Sequence, residues 1–363
     1  MDVRPLLLVL SVFGLSWATT LDLDYGGVPL WINRFRGEPS VFSLRGRMDH
    51  SSYQAVDSQS CPLECDCPIQ WPSALYCDER GLGSLPTSLP ARTQYLFLQS
   101  NNISGLQADA FANATRLRWL FLDGNQLLSN RVAAASLSNL TRLENLFMNH
   151  NNLTAVPSGL PHGLMQLRLA HNQISRISPG VFQNLQNLTL LLLQGNRLKT
   201  IGKADLKGLL SVILLDLSHN LLEKFPKHLP PSVQQLYLSN NSLRGLSKDS
   251  LQGFHSLRYL RLSHNQLRNP GLAPGALNLS SLVELDLSYN QLTSTPTVPT
   301  TLLYLYLEAN LIQEFNVTSF CRTVGPQDYS RMRILRLDGN KMASHQLPPD
   351  WVMCLRVLHH LYI

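Results

Sequence analysis

Charge is scarce in this chain and nowhere concentrated. Of 363 residues, 15% are charged, and the net charge of +6 is spread over the sequence with no block of five or more like charges. Nucleic-acid-binding proteins usually concentrate their positive charge, so no nucleic-acid partner is predicted. After the N-terminal apolar run, no stretch of 18 uninterrupted apolar residues follows, so no membrane span is predicted either.

Catalytic and metal-binding motifs are also missing. The sequence contains no G-x-S-x-G, no H-E-x-x-H, no P-loop and no glycine-rich dinucleotide fingerprint, so we predict neither an enzyme nor a cofactor. His150 and His171 occupy equivalent positions of neighbouring repeats, about 5 Å apart in a regular sheet. Because no carboxylate or cysteine joins them by spacing, we predict no metal site there.

The N-terminus has the pattern of a secreted protein. Arg4 precedes an apolar run over 6–15 and the small-x-small sequence Ser16-Trp17-Ala18, which predicts a signal peptide over 1–18 and secretion. Residues 19–60 carry no repeat and few large aliphatic side chains, so we predict a flexible N-terminal arm. Within it, Tyr25 follows two aspartates, a setting typical of tyrosine sulfation in secreted proteins.

Six cysteines form two groups. Cys61, Cys65, Cys67 and Cys77 lie within 17 residues, whereas Cys321 and Cys354 stand near the end. An even count in an oxidising compartment predicts disulfides, and the long gap favours a Cys321–Cys354 bond with two bonds inside the first group. A zinc site is the alternative for the first group, but secretion and the lack of a histidine there favour disulfides.

The central feature is a leucine-rich repeat. Eleven segments match L-x-L-x-x-N-x-L or a close variant, and their asparagines are Asn101, Asn125, Asn151, Asn172, Asn196, Asn220, Asn241, Asn265, Asn290, Asn310 and Asn340. In each unit a short strand points alternate leucines inward, and the asparagine bonds unpaired backbone in the following turn. Stacked units bury one another's leucines, which predicts an α/β repeat solenoid whose concave face is a parallel sheet of eleven strands.

The cysteine groups flank the repeats, where a solenoid needs capping. We therefore predict a cysteine-rich cap over 61–90 and a solenoid with a C-terminal cap over 91–363, with the alternating segment before Cys77 leading the sheet. Three intervals of 20 or 21 residues contain proline and should be extended, whereas intervals of 24 to 26 residues have room for a helical turn. The single 30-residue interval holds Cys321 and should bulge outward.

The sequence carries eight N-x-S/T sequons, which secretion makes usable. They lie at Asn102, Asn113, Asn139, Asn152, Asn187, Asn240, Asn278 and Asn316. Asn102, Asn152 and Asn240 adjoin a turn asparagine, where the repeat shields them. We expect four or more of the eight to be glycosylated.

Four motifs together resemble one extracellular family. They are Cys61-Pro-Leu-Glu-Cys-Asp-Cys-Pro, Pro72-Ser-Ala-Leu-Tyr-Cys-Asp, Ser281-Leu-Val-Glu-Leu-Asp-Leu-Ser-Tyr-Asn and Leu335-Arg-Leu-Asp-Gly-Asn. With the repeats and the long penultimate interval, they resemble the class II small leucine-rich repeat proteoglycans, the group that contains fibromodulin, lumican and keratocan. The resemblance covers residues 61–363, and Asn149-His-Asn-Asn-Leu-Thr is most similar to the fibromodulin branch.

The resemblance implies specific bonds, modifications and partners. It implies the pairs Cys61–Cys67, Cys65–Cys77 and Cys321–Cys354, the last closing a protruding "ear" repeat. It implies N-glycans or keratan sulfate on Asn113, Asn152, Asn187 and Asn278. It also implies binding to fibrillar collagen, with type I as our expectation; growth factors and a second copy of the chain are further partners that we consider.

The concave side chains supply candidate collagen contacts, because they alternate with the buried leucines. Aromatic side chains, arginines and acids offer apolar contact and hydrogen bonds to the ridged triple helix. Our candidates are Arg168, Asp216, Tyr237, Tyr259, Arg261, Glu284, Asp286 and Tyr306. A separate basic stretch, Arg322, Arg331, Arg333 and Arg336, is a weaker candidate for binding sulfated glycans.

The sequence thus predicts a secreted extracellular-matrix glycoprotein that binds collagen and limits fibril diameter. The alternative is a soluble ligand trap that holds a growth factor or a microbial product on the same concave face.

Overall fold

The computed structural model describes residues 61–68, 70–323 and 328–363. The segments predicted as signal peptide and arm, and with them Tyr25, lie outside these residues. Four residues of the long interval, 324–327, also lie outside them, so the predicted bulge of that interval is described only on either side of them.

The described chain is a solenoid built on one parallel sheet. Its thirteen strands follow each other in sequence order and pair only with their neighbours. They are β1 Ala74–Tyr76, β2 Tyr95–Phe97, β3 Trp119–Phe121, β4 Asn145–Phe147, β5 Gln166–Arg168, β6 Leu190–Leu192, β7 Leu214–Asp216, β8 Gln235–Tyr237, β9 Tyr259–Arg261, β10 Glu284–Asp286, β11 Tyr304–Tyr306, β12 Ile334–Arg336 and β13 His360–Tyr362.

The predicted solenoid is confirmed: β2 to β12 are the eleven repeat strands, and the sheet has one further strand at each end. β1 coincides with the alternating segment expected to lead the sheet, and β13 adds a strand at the other end. No repeat asparagine follows β13, so the repeat pattern gives no signal for it. β13 nevertheless pairs with β12 at the edge of the sheet, from Ile334↔His360 to Arg336↔Tyr362.

Every strand is three residues long, and its middle residue faces the core. That residue is a leucine with 0% exposure in each strand from β2 to β12. In the register the leucines are direct partners, such as Leu191↔Leu215 and Leu260↔Leu285. Each fully buried leucine contributes about 1.5–3 kcal/mol relative to an exposed one. The stacked leucine rows therefore hold the repeats together.

The repeat asparagines fill the turn that follows each strand, as the pattern predicts. Asn125 Nδ2 donates to the carbonyls of Leu98, at 2.8 Å, and Leu122, at 3.1 Å. Its Oδ1 accepts from the N–H of Ile103 at 3.0 Å. Because Leu98 and Ile103 belong to the preceding repeat, one amide satisfies buried backbone on both sides of a repeat boundary.

The backs of the repeats differ, but a helix does not appear in every longer interval: the 26-residue interval holds one, whereas the intervals of 24 residues hold none. The 26-residue interval between Asn125 and Asn151 holds the helix α1 (Ala134–Ser138) and a 3-10 turn at Ser129–Arg131. The 21-residue interval from Asn151 to Asn172 holds no helix and forms the isolated bridge Ala155↔Arg176. Further 3-10 turns lie at Asn269–Gly271, Val317–Ser319 and Ser344–Gln346, and the helix α2 spans Trp351–Cys354.

Three disulfides close the two ends of the described solenoid. Cys61 is bonded to Cys67, Cys65 to Cys77 and Cys321 to Cys354, with Cα–Cα distances of 6.1, 4.4 and 5.9 Å. These are the pairs that the family resemblance implies. No cysteine of the described residues is free. The first two bonds lie ahead of β2 and the third lies beside β12, so each covers an end of the leucine rows.

The concave face and candidate modification sites

The concave face carries the side chains at the first and third positions of each strand. These positions point away from the buried middle leucine because successive side chains alternate across a strand. The parallel register aligns them into two rows that run the length of the sheet. The third-position row, for example, places Asp216, Tyr237, Arg261 and Asp286 on consecutive strands β7 to β10.

The N-terminal part of the third-position row is aromatic. Tyr76, Phe97, Phe121 and Phe147 lie on β1 to β4, and each ring stacks on the next at centroid distances of 4.5, 4.7 and 4.5 Å. The guanidinium carbon of Arg168 on β5 lies 4.8 Å from the centre of the Phe147 ring. Phe97, Phe121 and Phe147 are buried, with 3%, 5% and 6% exposure, so the stacked rings offer little surface to solvent.

The C-terminal part of the face, from β8 to β12, combines tyrosines with paired charges. Arg261 Nε donates to Glu284 Oε1 at 3.1 Å, and its guanidinium carbon lies 5.0 Å from the centre of the Tyr237 ring. Burial opposes the charge of Arg261, but Tyr237 and Glu284 outweigh burial and raise the pKa of the guanidinium. The guanidinium of Arg261 is therefore charged and bonded to Glu284.

A second charge cluster follows on β11 and β12. Arg336 Nη2 donates to Asp338 Oδ2 at 2.8 Å, and Arg336 Nη1 lies 3.4 Å from Glu308 Oε1. The hydrogen bond from Arg336 lowers the pKa of Asp338, whereas burial raises the pKa of Glu308. Glu308 and Asp338 lie two residues beyond their strands and were not among the predicted contacts, although their alternation with buried leucines placed them on this face.

The eight predicted contacts all lie on strands of the concave face, but they differ in exposure. Six are partly exposed: Arg168, Tyr259, Arg261, Glu284, Asp286 and Tyr306. Asp216 and Tyr237 are buried, with 4% and 3% exposure. Tyr237 Oη donates to Gln235 Oε1 at 2.8 Å, so its hydroxyl is occupied within the sheet. Asp216 and Tyr237 therefore offer no exposed surface to a partner. The other six residues remain our predicted collagen contacts.

Asp216 is an unusual group in this position. Its register partner on β6 is Leu192, and its Oδ1 accepts from the N–H of Ser218 at 2.9 Å. Burial raises the pKa of its carboxyl from the ordinary 3.8 to about 6, although the hydrogen bonds from Ser218 and the charge of Arg261 act in the opposite direction. Asp216 is therefore a carboxylate that the fold destabilises at neutral pH.

The sequon asparagines separate into exposed and shielded groups. Asn102, Asn113, Asn139, Asn187, Asn278 and Asn316 are exposed, and Asn152 and Asn240 are partly buried. The shielding expected beside turn asparagines therefore occurs at Asn152 and Asn240 but not at Asn102. Asn240 Nδ2 lies 3.2 Å from His219 Nε2, and Asn152 Oδ1 accepts from Gln173 Nε2 at 3.4 Å.

The histidines in the turns of neighbouring repeats lie close together. The rings of His150 and His171 stack at 4.5 Å, near the spacing predicted from the repeat. Among residues 61–68, 70–323 and 328–363, no group of three or more His, Cys, Asp or Glu side chains is placed to hold a metal ion. Within the same residues, no helix has the length and apolar character needed to cross a bilayer.

The basic stretch near the C-terminus is divided by the structure. Arg336 lies on β12 and is paired with acids, whereas Arg322, Arg331 and Arg333 are exposed outside the strands. The four side chains therefore do not form the single strand face on which the sulfated-glycan prediction depended.

Comparison with known families identifies the repeats independently of this geometry. Residues 60–90 match the leucine rich repeat N-terminal domain. Residues 90–127, 162–222 and 223–267 match one leucine rich repeat family, and residues 281–302 match a second.

Comparison with solved structures supports the same fold. A chain from the octameric complex of latrophilin 3, Unc5D and FLRT2 superposes with a TM-score of 0.66 at 27% identity, covering 83% of each chain. A leucine-rich repeat protein of Leptospira interrogans superposes with a TM-score of 0.55 at 22% identity, covering 78% of this chain and 82% of the other, and shows the fold alone.

Three curated relatives narrow the family. Fibromodulin of Bos taurus is 47% identical over 301 residues, which are 83% of this chain and 80% of the relative. Fibromodulin of Homo sapiens is 46% identical over 85% of this chain and 81% of the relative, and lumican of Homo sapiens is 45% identical over 85% and 91%. With its repeats, its paired cysteines and these relatives, the chain belongs to the class II small leucine-rich repeat proteoglycans, the family of fibromodulin and lumican.

Proposed function

We propose that this protein is a secreted extracellular-matrix proteoglycan that binds fibrillar collagen and limits the lateral growth of fibrils. The observation that carries the proposal is the concave face from β9 to β11, where Tyr259, Arg261, Glu284, Asp286 and Tyr306 are partly exposed side by side. Membership of the fibromodulin and lumican family supports the assignment to the matrix.

The mechanism is adhesive and steric. Tyrosine rings offer apolar contact to the ridges of a triple helix, and the Arg261–Glu284 pair offers a donor and an acceptor to its backbone and charges. Bound protein occupies fibril surface that would otherwise accept more collagen. Fibril diameter should therefore fall as coverage rises, and no covalent chemistry is involved.

We further propose the modifications and division of the chain that go with this role. Residues 1–18 are the signal peptide, 19–60 the arm with Tyr25 as a sulfation site, 61–90 the N-terminal cap and 91–363 the solenoid. Glycans on the exposed asparagines, among them Asn113, Asn187 and Asn278, keep coated fibrils apart. The exposed position of these side chains supports attachment there.

Turbidity of type I collagen, recorded during assembly with and without the purified protein, tests the proposal. Electron microscopy of the resulting fibrils supplies their diameters. We expect slower assembly and thinner fibrils. Unchanged curves and diameters at saturating protein would contradict the proposal for this collagen, and tight binding to a globular ligand in its place would favour the ligand trap.

A charge-neutral double variant locates the contact. Arg261→Gln with Glu284→Gln removes the central pair without changing the net charge, and we expect binding to fibrils to weaken by about tenfold, the equivalent of about 1.4 kcal/mol of lost contact energy. The matched control, Lys207→Gln with Glu223→Gln, removes one exposed charge of each sign away from the strands and should bind like the wild type. Equal weakening in both variants would show that the Arg261–Glu284 pair is not the specific contact.

A further inference from the structure

A groove of about 680 Å³ runs along the edge of the sheet where strands β3 to β6 begin. Its lining includes the sequon residues Asn187 and Thr189, the pair Arg118 and Glu144, and Gly163. The groove lies outside the part of the concave face that we propose as the collagen-binding surface. None of the collagen candidates lines it.

The groove follows from the alignment of neighbouring repeats. The residue immediately before each strand is Arg118, Glu144, Met165 or Thr189, and backbone hydrogen bonds join these positions in order: Glu144 N–H donates to Arg118 O at 2.9 Å, and Thr189 N–H donates to Met165 O at 2.8 Å. Two residues further back, a second row runs through Arg142, Gly163, Asn187 and Ser211. The two rows lie on one face because a fully buried aliphatic residue separates them in every repeat.

Gly163 opens the second row. It lies between the repeats that carry Arg142 and Asn187, so a row of side chains is interrupted where the glycine has none. A Cβ built on Gly163 would meet nothing nearer than the carbonyl oxygens of Thr141 and Leu143, at 3.4 Å. The gap is therefore open space above backbone, beside a sequon asparagine.

Asn187 differs from the other exposed sequons in its place relative to the sheet. It lies three residues before its strand, whereas Asn113, Asn139 and Asn278 each lie six residues before theirs. With strands about 4.8 Å apart, Gly163 lies one strand spacing from Asn187 and Arg142 about 10 Å away. A sugar linked to Asn187 and directed along the row therefore passes over Gly163 first and reaches Arg142 next.

The lining suits a carbohydrate that carries sulfate as well as a neutral one. Arg118 Nε and Nη2 each donate to a carboxylate oxygen of Glu144 at 3.1 Å, so the glutamate is neutralised. The exposed Arg142 then gives the lining a net charge of +1, from two arginines and one glutamate. Hydroxyls of Thr141 and Ser211 and the guanidinium of Arg142 are hydrogen-bonding partners for sugar hydroxyl, N-acetyl and sulfate groups.

We propose that the N-linked glycan of Asn187 lies in this groove, its N-acetylglucosamine core held over Gly163 and against Arg142. The glycan then forms part of the solenoid surface and leaves the protein in a fixed direction. The inference rests on the proposed glycosylation of Asn187 and adds a binding site in the groove for the attached sugar.

The test is the rate at which peptide N-glycosidase F releases each glycan from the native secreted protein. Mass spectrometry of the tryptic glycopeptides follows each site separately, and release from the denatured protein provides the reference. We expect release at Asn187 to be about tenfold slower than at Asn113 and Asn278, the protection that one or two hydrogen bonds to the wall supply. Equal release rates at the three sites in the wild type would refute the binding of the glycan in the groove, but they would not contradict the glycosylation of Asn187.

A variant that fills the groove gives an independent check. Gly163→Gln leaves the sequon untouched and should bring release at Asn187 close to that at Asn113, whereas Gly163→Ala should keep it slow. Unchanged release at Asn113 and Asn278 reports that the variant is folded, and continued slow release at Asn187 in Gly163→Gln would overturn the proposal. If Asn187 carries no glycan, both its glycosylation and the binding of a glycan in the groove are refuted. The result of the collagen assembly assay is independent of this outcome.

Discussion

Replacing Asp216 by asparagine should stabilise the protein at neutral pH. Asp216 is buried on β7 beside Leu192, and its carboxyl has a pKa of about 6 in the folded chain against an ordinary 3.8. This difference corresponds to about 3 kcal/mol by linkage, which is an upper bound on what the ionised form costs the fold. Asparagine has nearly the same shape and keeps an oxygen for the Ser218 N–H, which donates to Asp216 at 2.9 Å.

The sign of the pH dependence follows from the raised pKa. The folded chain holds the Asp216 proton more tightly than the unfolded chain, so this group's contribution is fully present below about pH 4 and is lost as pH rises to about 6. Asp216→Asn removes that loss. We expect the variant to be more stable than the wild type by about 1–3 kcal/mol at pH 7.4 and to show little difference at pH 4.

Thermal unfolding of the disulfide-intact protein at pH 4.0 and pH 7.4 measures the effect. The matched control is Asp286→Asn on β10, because Asp286 accepts the same hydrogen bond from Ser288 N–H, at 3.0 Å, but is partly exposed. Its variant should shift the midpoint less at pH 7.4. The reasoning is refuted if Asp216→Asn lowers the midpoint at pH 7.4, or if it changes the midpoint equally at both pH values.

Two further predictions concern stability. Asn196→Ala should lower the free energy of unfolding by about 2–5 kcal/mol, because it leaves the carbonyls of Leu169 and Leu193 and the N–H of Ile174 without their partner. Urea unfolding measures this loss, and the control Asn184→Ala, at an exposed asparagine, should change the free energy little. Replacing Cys321 and Cys354 together by serine should lower stability by about 4 kcal/mol, as expected for opening a loop of this length; a midpoint in urea equal to that of the wild type would show that the bond does not hold the C-terminal end.

The repeat pattern made most of the fold predictable. It did not predict how individual side chains of adjacent repeats pack against one another. The spacing of Leu and Asn predicts strand, turn and stacking, because each unit repeats the same local contacts. The burial of Asp216 and Tyr237 was missed because it depends on contacts between adjacent strands, such as that of the Arg261 guanidinium with the Tyr237 ring, which the repeat pattern does not specify. The groove at Gly163 was missed because it appears only when repeats of different length are aligned in register.

The two sides of each repeat are joined to the next repeat very unequally. On the concave side, strand pairing and the asparagine amides connect every repeat to its neighbour, and a backbone hydrogen bond just beyond each asparagine, such as Gln126 N–H to Ile103 O, does the same. Further along the back, isolated bridges such as Ala155↔Arg176 and Leu246↔Leu272 connect only some neighbouring repeats. A bending load should therefore open or close the back while the strand spacing stays constant. To a stiff rod-like partner, the solenoid would behave as an inextensible strip that adjusts its curvature without changing the distance between its contacts.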